Sequence, residues 1–360
     1  MQEREIPSTP TKGRGAVSNL AGRFEVHARR AIDDGWPREE EQTRLRTTVT
    51  IDAARTIISR NTSPDVPFDR SINPYRGCEH GCVYCFARPT HAYLGLSPGL
   101  DFETRLFYKP NAAKLLAEEL RRSKYRCDVI AMGTNTDPYQ PIERDYEITR
   151  SILEVLSEFN HPVGIVTKSN LILRDLDILA PMAARGLAQV SISVTTLNRK
   201  LARKLEPRAP TPSRRLEAIR ALSDAGIPTG VLAAPMIPGV NDAELETIME
   251  YACKSGAATA SYILLRLPLE IRDLFEEWLQ AHAPLKADRV MKLVRDTRGG
   301  KTNDAAFGLR MRGSGKYADI LAQRFYVAAR RLKMNNERRY DLDISQFARP
   351  PRAGDQLDLF

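Results

Sequence analysis

The sequence predicts an α/β chain built as a partial (βα)6 barrel with a C-terminal helical region. Between about Ser71 and Leu265, apolar runs of strand length alternate six times with amphipathic helical stretches. That alternation is the mark of βα units on a parallel sheet. Six units in about 200 residues are too few to close an eight-stranded barrel of roughly 250 residues, so the barrel is expected to stay open. A cysteine-bearing loop follows the first strand, and in parallel barrels reactive groups gather at the carboxyl ends of the strands.

The first strand is expected at Ser71 to Tyr75, ending in Arg76-Gly77. Asn111 is placed to cap a helix through Arg122, with Leu115, Leu116 and Leu120 on one face. Strand two is Asp128 to Met132, followed by a helix near Ile148 to Phe159. Strand three is Val163 to Thr167, and its helix Leu176 to Ala184 is closed by Gly186. Strand four, Ala188 to Val194, leads to a helix from Ser213 to Ala225 before Gly226. Strand five is Thr229 to Ala234 with a helix from Asp242 to Ser255, and strand six is Thr259 to Leu265. The implied organisation is an N-terminal extension over residues 1–66, the barrel over 67–270, a basic helical region over 271–340 and a flexible tail over 341–360.

The cysteine loop reads Gly77-Cys78-Glu79-His80-Gly81-Cys82-Val83-Tyr84-Cys85, three thiols spaced CxxxCxxC without a fourth nearby. Three thiolates can hold three corners of a four-iron cube and leave one iron open. A structural zinc site also uses clustered cysteines, but it usually pairs two short ligand groups across a loop, and no second group is present. Cys127 and Cys253 are isolated and are read as packing thiols.

This spacing, with Tyr84 before the last cysteine, resembles the signature of the radical S-adenosylmethionine superfamily. The resemblance implies one 4Fe–4S cluster on Cys78, Cys82 and Cys85, S-adenosylmethionine on the open iron, an external electron donor, and reductive cleavage to a 5′-deoxyadenosyl radical. It also assigns the strand ends. Gly133, Thr134 and Thr136 would receive the amino group of the cofactor, although an ordinary polar turn selects the same residues. Lys168 would meet the methionyl carboxylate, or be a solvated lysine. Ser193 and Thr195 are placed for a ribose, Arg208 for the carboxylate, the segment with Pro238 for adenine packing, and Leu264 for the adenine edge. Glu206 and Arg208 form an acid–base pair that would serve the cofactor or simply tie the loop.

Within the superfamily the chain looks closest to the branch containing spore photoproduct lyase, a DNA-repair enzyme, with similarity strongest from Ser71 to Gly239 and including Thr134 to Glu143. Two relay positions differ. The lyase's hydrogen-donating cysteine corresponds to Gly133, and the tyrosine after its last cluster cysteine is Phe86. Tyr108 and Tyr139 are the remaining hydrogen-donor candidates.

Five cysteines in 360 residues, three of them in one loop, argue against a disulfide framework and for a reducing, cytoplasmic setting. The amino terminus shows no apolar run suited to a signal peptide or membrane helix. Net charge is +9, and it is local: Arg289 to Tyr340 holds fourteen Lys or Arg against four Asp or Glu, leaving −1 for the remainder. Arg298, Arg310, Arg312 and Lys316 sit among glycines that let amides and side chains reach phosphates together, a nucleic-acid footprint unless the charge is an ordinary solvated face, and the terminal peptide Gln356 to Phe360 favours DNA over RNA. The helix Tyr317 to Leu332 carries Phe325 and Tyr326 between basic positions. Thr11 to Ala16 reads as a flexible cationic arm or as part of a cap over the barrel. Gln356, Leu357, Leu359 and Phe360 resemble the peptide by which bacterial replication and repair proteins dock into the sliding clamp.

Overall fold

The structure, a computed structural model, describes residues 9–25, 45–336 and 341–351. Its main sheet has seven strands in the order β10-β9-β8-β7-β6-β3-β2. Here β3 is Arg70–Ile72, β6 is Ile130–Met132, β7 is Val163–Thr167, β8 is Ala188–Ser193, β9 is Thr229–Met236 and β10 is Thr259–Leu264. These six run parallel in chain order, and β2 (Ile58–Arg60) adds an antiparallel edge to β3. No pairing joins β10 to β2 or β3 among the described residues, so the barrel is open as expected.

The five barrel helices are Ala112–Arg121, Ile148–Glu158, Leu176–Ala184, Pro212–Asp224 and Leu245–Lys254. Leu116, Leu120, Ile152, Leu156, Leu179, Ile219 and Ile248 are buried in one core with β-strand residues such as Ile165, Val190 and Val231. Each fully buried apolar side chain of this size contributes roughly 1.5–3 kcal/mol, which is why the apolar stripe outweighs modest helix propensity. Pro212 opens its helix because a missing N–H costs nothing in the first turn.

The expected first strand divides. Arg70–Ile72 joins the main sheet, whereas Tyr75–Arg76 becomes β4 of a small second sheet ordered β1-β5-β4, with β1 Thr48–Ile51 and β5 Arg105–Tyr108. Pro74 lies between them and has no N–H to continue a ladder. This turn aims the chain into the cysteine loop.

Three further helices, Ile271–His282, Ala287–Asp296 and Gly315–Arg331, follow the barrel. Phe275, Trp278, Leu279, Val290 and Val294 form a second core that also takes in Val83, Tyr84 and Leu205. The C-terminal region is therefore packed on the cysteine loop. Residues 341–351 do not behave as the start of a flexible tail. Phe347 is set among Tyr125, Phe159 and His161, Ala348 donates to the Phe159 carbonyl at 3.0 Å, and Arg349 donates to the carbonyls of Leu120 and Arg122. An aromatic contact and several hydrogen bonds together override a polar, proline-containing composition. Gln356, Leu357, Leu359 and Phe360 lie outside the described residues.

Candidate active site

The cysteine loop is held from both sides. Fully buried Arg88 donates to the carbonyls of Cys82 at 2.8 Å and Gly81 at 3.2 Å and pairs with buried Glu103. The same carboxylate accepts the amides of Gly15 and Ala16 at 2.9 and 2.8 Å. Arg14 donates to the Glu103 carbonyl at 2.9 Å. Described residues of Thr11 to Ala16 thus form a latch on the loop, with Arg14 buried rather than offered to a polyanion. Gly15 is required there, since a Cβ would lie 1.8 Å from the Gly81 carbonyl oxygen.

From the barrel side, Gln140 accepts the Glu79 amide at 2.8 Å and donates to the Gly77 carbonyl at 3.1 Å. The Thr136 hydroxyl donates to the Tyr75 carbonyl at 3.0 Å, and Glu143 accepts from the Tyr75 hydroxyl. The run Thr134 to Glu143 thus clamps the cysteine loop.

All three thiols, of Cys78, Cys82 and Cys85, line one cavity of about 880 Å³, the open space at its mouth included. Its other walls are strand ends: Gly133 and Thr136 after β6, Lys168 after β7, Ser193 on β8, Ala234 and Pro235 on β9, and Leu264, Leu265 and Arg266 at β10. Lys168 donates to Ser193 Oγ at 3.0 Å, and its Nζ stands 5.9 Å from the Tyr84 ring centroid. Gly133 has φ +84°, and a Cβ there would sit 1.8 Å from the Val166 carbonyl oxygen, so only glycine lets the backbone turn this close to β7.

Behind the cavity wall lies a charged network that sequence reasoning missed. Buried Glu206 pairs with buried Arg215, accepts from the Tyr84 hydroxyl and lies 2.5 Å from Thr195 Oγ1. Burial would raise the Glu206 carboxyl, but Arg215 and Lys168 outweigh it and hold it down at about 2. Arg215 sat unnoticed because it is one of several arginines on an ordinary helical repeat. Asp137, facing His80 Nδ1 at 3.4 Å, accepts from Thr167 Oγ1 at 2.6 Å and the Lys168 amide at 2.8 Å. Burial works against its ionisation, yet these partners keep it at about 2. His80, Asp137, Phe86 and Arg266 all line the cavity, with the Arg266 guanidinium 4.9 Å from the Phe86 ring.

Several expected roles need correction. Glu206 does not pair with Arg208. Arg208 instead pairs with Glu79 at 2.9 Å, is 39% exposed and does not line the cavity. Thr195 is spent on the Glu206 network and the Ala234 carbonyl, and Thr134 and Pro238 also lie off the cavity, whose wall at β9 is formed by Ala234 and Pro235. Tyr139 is buried away from the cavity, and Tyr108 packs on Tyr146 with ring centroids 4.3 Å apart, so neither faces it. In the basic region, Arg298 is 1% exposed and donates to four carbonyls, those of Leu264, Leu265, Leu309 and Arg310. Burial pushes its guanidinium down to about 10. It fastens the loop before Gly315–Arg331 to the end of β10 and is closed to phosphates. Arg310 pairs with Asp65, whereas Arg312 and Lys316 are exposed.

The donor set fits an iron–sulfur cluster. The three thiols are free, and among the described residues no three His, Cys, Asp or Glu side chains are grouped as ligands of a single metal ion. Soft donors distributed around one cavity suit a polynuclear centre better than one zinc ion. Burial, added to by neighbouring negative groups, raises the Cys78 thiol well above its usual range and Cys82 to about 12, so ligation must displace the protons.

The family model of the Radical SAM superfamily matches residues 72–252. An uncharacterized protein of Mycobacterium tuberculosis is 38% identical over 232 residues, 64% of this chain and 68% of that one. An uncharacterized protein of Methanocaldococcus jannaschii is 29% identical over 173 residues, 48% of this chain and 62% of that one. Among solved structures, a spore photoproduct lyase variant superposes with TM-score 0.59 at 17% identity, covering 86% of each chain. A further variant with bound S-adenosylmethionine and a dinucleoside spore photoproduct gives 0.57 at 15%, covering 82% of this chain and 84% of that one. The chain belongs to the radical S-adenosylmethionine superfamily. It is an iron–sulfur enzyme that cleaves S-adenosylmethionine, with a fold like that of spore photoproduct lyase. No described helix is long and apolar enough to cross a membrane.

Proposed function

We propose that Cys78, Cys82 and Cys85 hold one 4Fe–4S cluster, and that the resulting 5′-deoxyadenosyl radical acts on nucleic acid, in the first place on a DNA lesion. The observation that carries the chemistry is the meeting of all three thiols with the ends of β6 to β10 around one cavity. When bound, the cluster supplies a one-electron reductant and an open iron for the methionyl amine and carboxylate. The residues of this chain bind and orient. Lys168 presents an ammonium to the cavity and is held toward Ser193. Gly133 clears the wall, and the apolar end of β10 at Leu264 and Leu265 gives a planar base a dry surface. The Tyr84 hydroxyl donates to Glu206, and the Lys168 ammonium stands over the Tyr84 ring.

Support for nucleic acid comes from the excess of cations between Arg289 and Tyr340, of which Arg312 and Lys316 are free of ion pairs among the described residues. The terminal peptide Gln356 to Phe360 favours DNA through docking on a bacterial sliding clamp. A tether would let the barrel work on DNA while clamp-bound.

The test is anaerobic reconstitution and reduction, with deoxyadenosine measured, followed by crosslinking to nucleic acid in cells. Deoxyadenosine together with recovered DNA is the expected result. No deoxyadenosine from a fully loaded, reduced protein overturns the chemistry, and recovery of RNA alone overturns the substrate. Replacing Leu359 and Phe360 by Ala should abolish clamp binding and leave deoxyadenosine formation unchanged.

A further inference from the structure

Between Arg199 and Arg220 the chain carries eight Lys or Arg against two Asp or Glu, an excess hidden in the overall balance by acidic residues elsewhere. Arg215 is buried on Glu206, so the rest must be accounted for separately. Arg199, Lys200, Arg203 and Lys204 are exposed on the short helix Arg199–Leu205, and none forms an ion pair among the described residues. Arg208 and Arg214 extend this face, each meeting one carboxylate, Glu79 and Glu217. A shallow, solvent-open depression borders it, lined by Arg199, Arg208, Thr211 and Arg214.

Solvated charge on a helix is common, and what distinguishes this face is what lies beneath it. The Leu205 carbonyl accepts the Val83 amide at 3.1 Å, between Cys82 and Cys85, and the Arg208 amide donates to the His80 carbonyl at 3.3 Å. The buried Trp278 indole donates to the Lys204 carbonyl at 2.9 Å, anchoring the helix to the C-terminal core. The cationic face is therefore one backbone layer from the cysteine loop, and it is rigidly attached.

Its position in the sheet argues against substrate. The helix follows β8, which has two strands on one side and four on the other, away from both edges. The open side of the barrel lies between β10 and the β2–β3 edge. There the Gly308 amide reaches Asp65 at 2.6 Å and Leu264 meets the Met311 carbonyl at 2.9 Å. On the nucleic-acid reading above, substrate is met on that side, where the exposed Arg312 and Lys316 follow Met311. An electron needs only a short path to the cysteines.

We propose that the face formed by Arg199, Lys200, Arg203, Lys204, Arg208 and Arg214 is the docking surface for a small acidic one-electron carrier protein. Charge complementarity between such a carrier and this face would speed encounter and fix orientation. The proposal rests on the iron–sulfur reading above. One electron leaves the carrier, which is oxidised, and is consumed in reducing S-adenosylmethionine, whose C5′–S bond breaks to methionine and the deoxyadenosyl radical.

The test compares the loaded wild-type enzyme with a variant carrying Arg199→Gln, Lys200→Gln, Arg203→Gln and Lys204→Gln, matched for iron and sulfide. Binding to a bacterial flavodoxin and to a bacterial ferredoxin is titrated by calorimetry at several salt concentrations, and deoxyadenosine is measured with each carrier and with dithionite. The wild type should bind at least one carrier with a Kd that rises with salt. In the variant that Kd should rise about tenfold or more at low salt, with a flatter salt dependence. Carrier-driven deoxyadenosine should fall while dithionite-driven deoxyadenosine stays level. The proposal is overturned by wild-type binding to neither carrier, by unchanged carrier affinity in the variant, by equal loss with dithionite, or by loss of duplex DNA binding with carrier affinity intact. Absence of dithionite-driven deoxyadenosine in the wild type would instead sink the iron–sulfur reading, while the titration still judges the face.

Discussion

Cys78, Cys82 and Cys85 stand alone among the five cysteines in facing the cavity, whereas Cys127 and Cys253 are half-buried elsewhere. Changing any of the three to Ala should abolish the iron and sulfide bound on reconstitution, because an iron corner loses its protein ligand. Cys127→Ala and Cys253→Ala should retain both, and metal analysis of all five proteins decides it. Lys168→Ala should weaken S-adenosylmethionine binding with cluster content unchanged, whereas Arg208→Ala should leave that affinity near wild type, since its guanidinium is engaged by Glu79 outside the cavity. Equal losses in a binding titration would return Arg208 to the cofactor. Gly133→Cys is the instructive negative. It would restore the thiol implied by the lyase resemblance, but with φ at +84° and the Val166 carbonyl oxygen 1.8 Å from the new Cβ the turn after β6 must shift. Lower thermal stability and reduced cofactor binding are expected, and a stable variant with full binding would show that the turn is more tolerant than its geometry implies.

The loops after β6 and β8 are secured by buried ions, which makes them the acid-sensitive parts of the fold. Glu206 and Asp137 are both held at about 2, below the ordinary carboxylate range. A depressed carboxyl gives stability that is present above the unfolded value near 4 and is lost as pH falls toward the folded value. The metal-free protein should therefore lose stability between about pH 4 and pH 2, and Glu206→Gln should flatten that loss while lowering stability at neutral pH. Chemical denaturation across this range checks the sign. Breaking a buried pair from one side costs about 3–5 kcal/mol, so Arg215→Ala should be among the most damaging changes in the chain. Arg298→Ala belongs with it. Its four carbonyl partners lie at the end of β10 and in the loop beyond, so the variant should loosen the C-terminal helices and appear in hydrogen exchange before it appears in nucleic-acid affinity.

The molecule as a whole is an open barrel tied at several points by its own extensions. Gly15 and Ala16 cap Glu103 at the cysteine loop, the second core joins the C-terminal helices to Val83 and Tyr84, and Phe347 fills a pocket below Phe159 at the opposite end. Phe347 is only partly buried, so Phe347→Ala should cost about 1–3 kcal/mol, less than the loss of a fully buried ring, with cofactor cleavage at neutral pH retained because the site is remote from the cysteines. Urea unfolding and a deoxyadenosine assay together test this. A loss of cleavage at full cluster content would mean that the lower strap governs the mouth.

The strand and helix succession, the open barrel and the thiol loop at its mouth could all be read from residue order. Strands such as Val163–Thr167 and helices such as Ile148–Glu158 announce themselves through local periodicity, and CxxxCxxC is a local spacing. Lys168 and Ser193 were legible too, because each ends a strand, and strand ends converge in any parallel barrel. The partners across the fold were not legible. Glu206 chose Arg215 over Arg208, Arg298 turned inward to carbonyls, and Gly15 closed on Gly81, each through contacts whose geometry no local pattern encodes. The ammonium or guanidinium of an isolated residue carries the same charge wherever it sits. Whether it meets solvent, a phosphate or a buried carboxylate depends on which distant segments folding brings against it, and burial raises the cost of every wrong pairing.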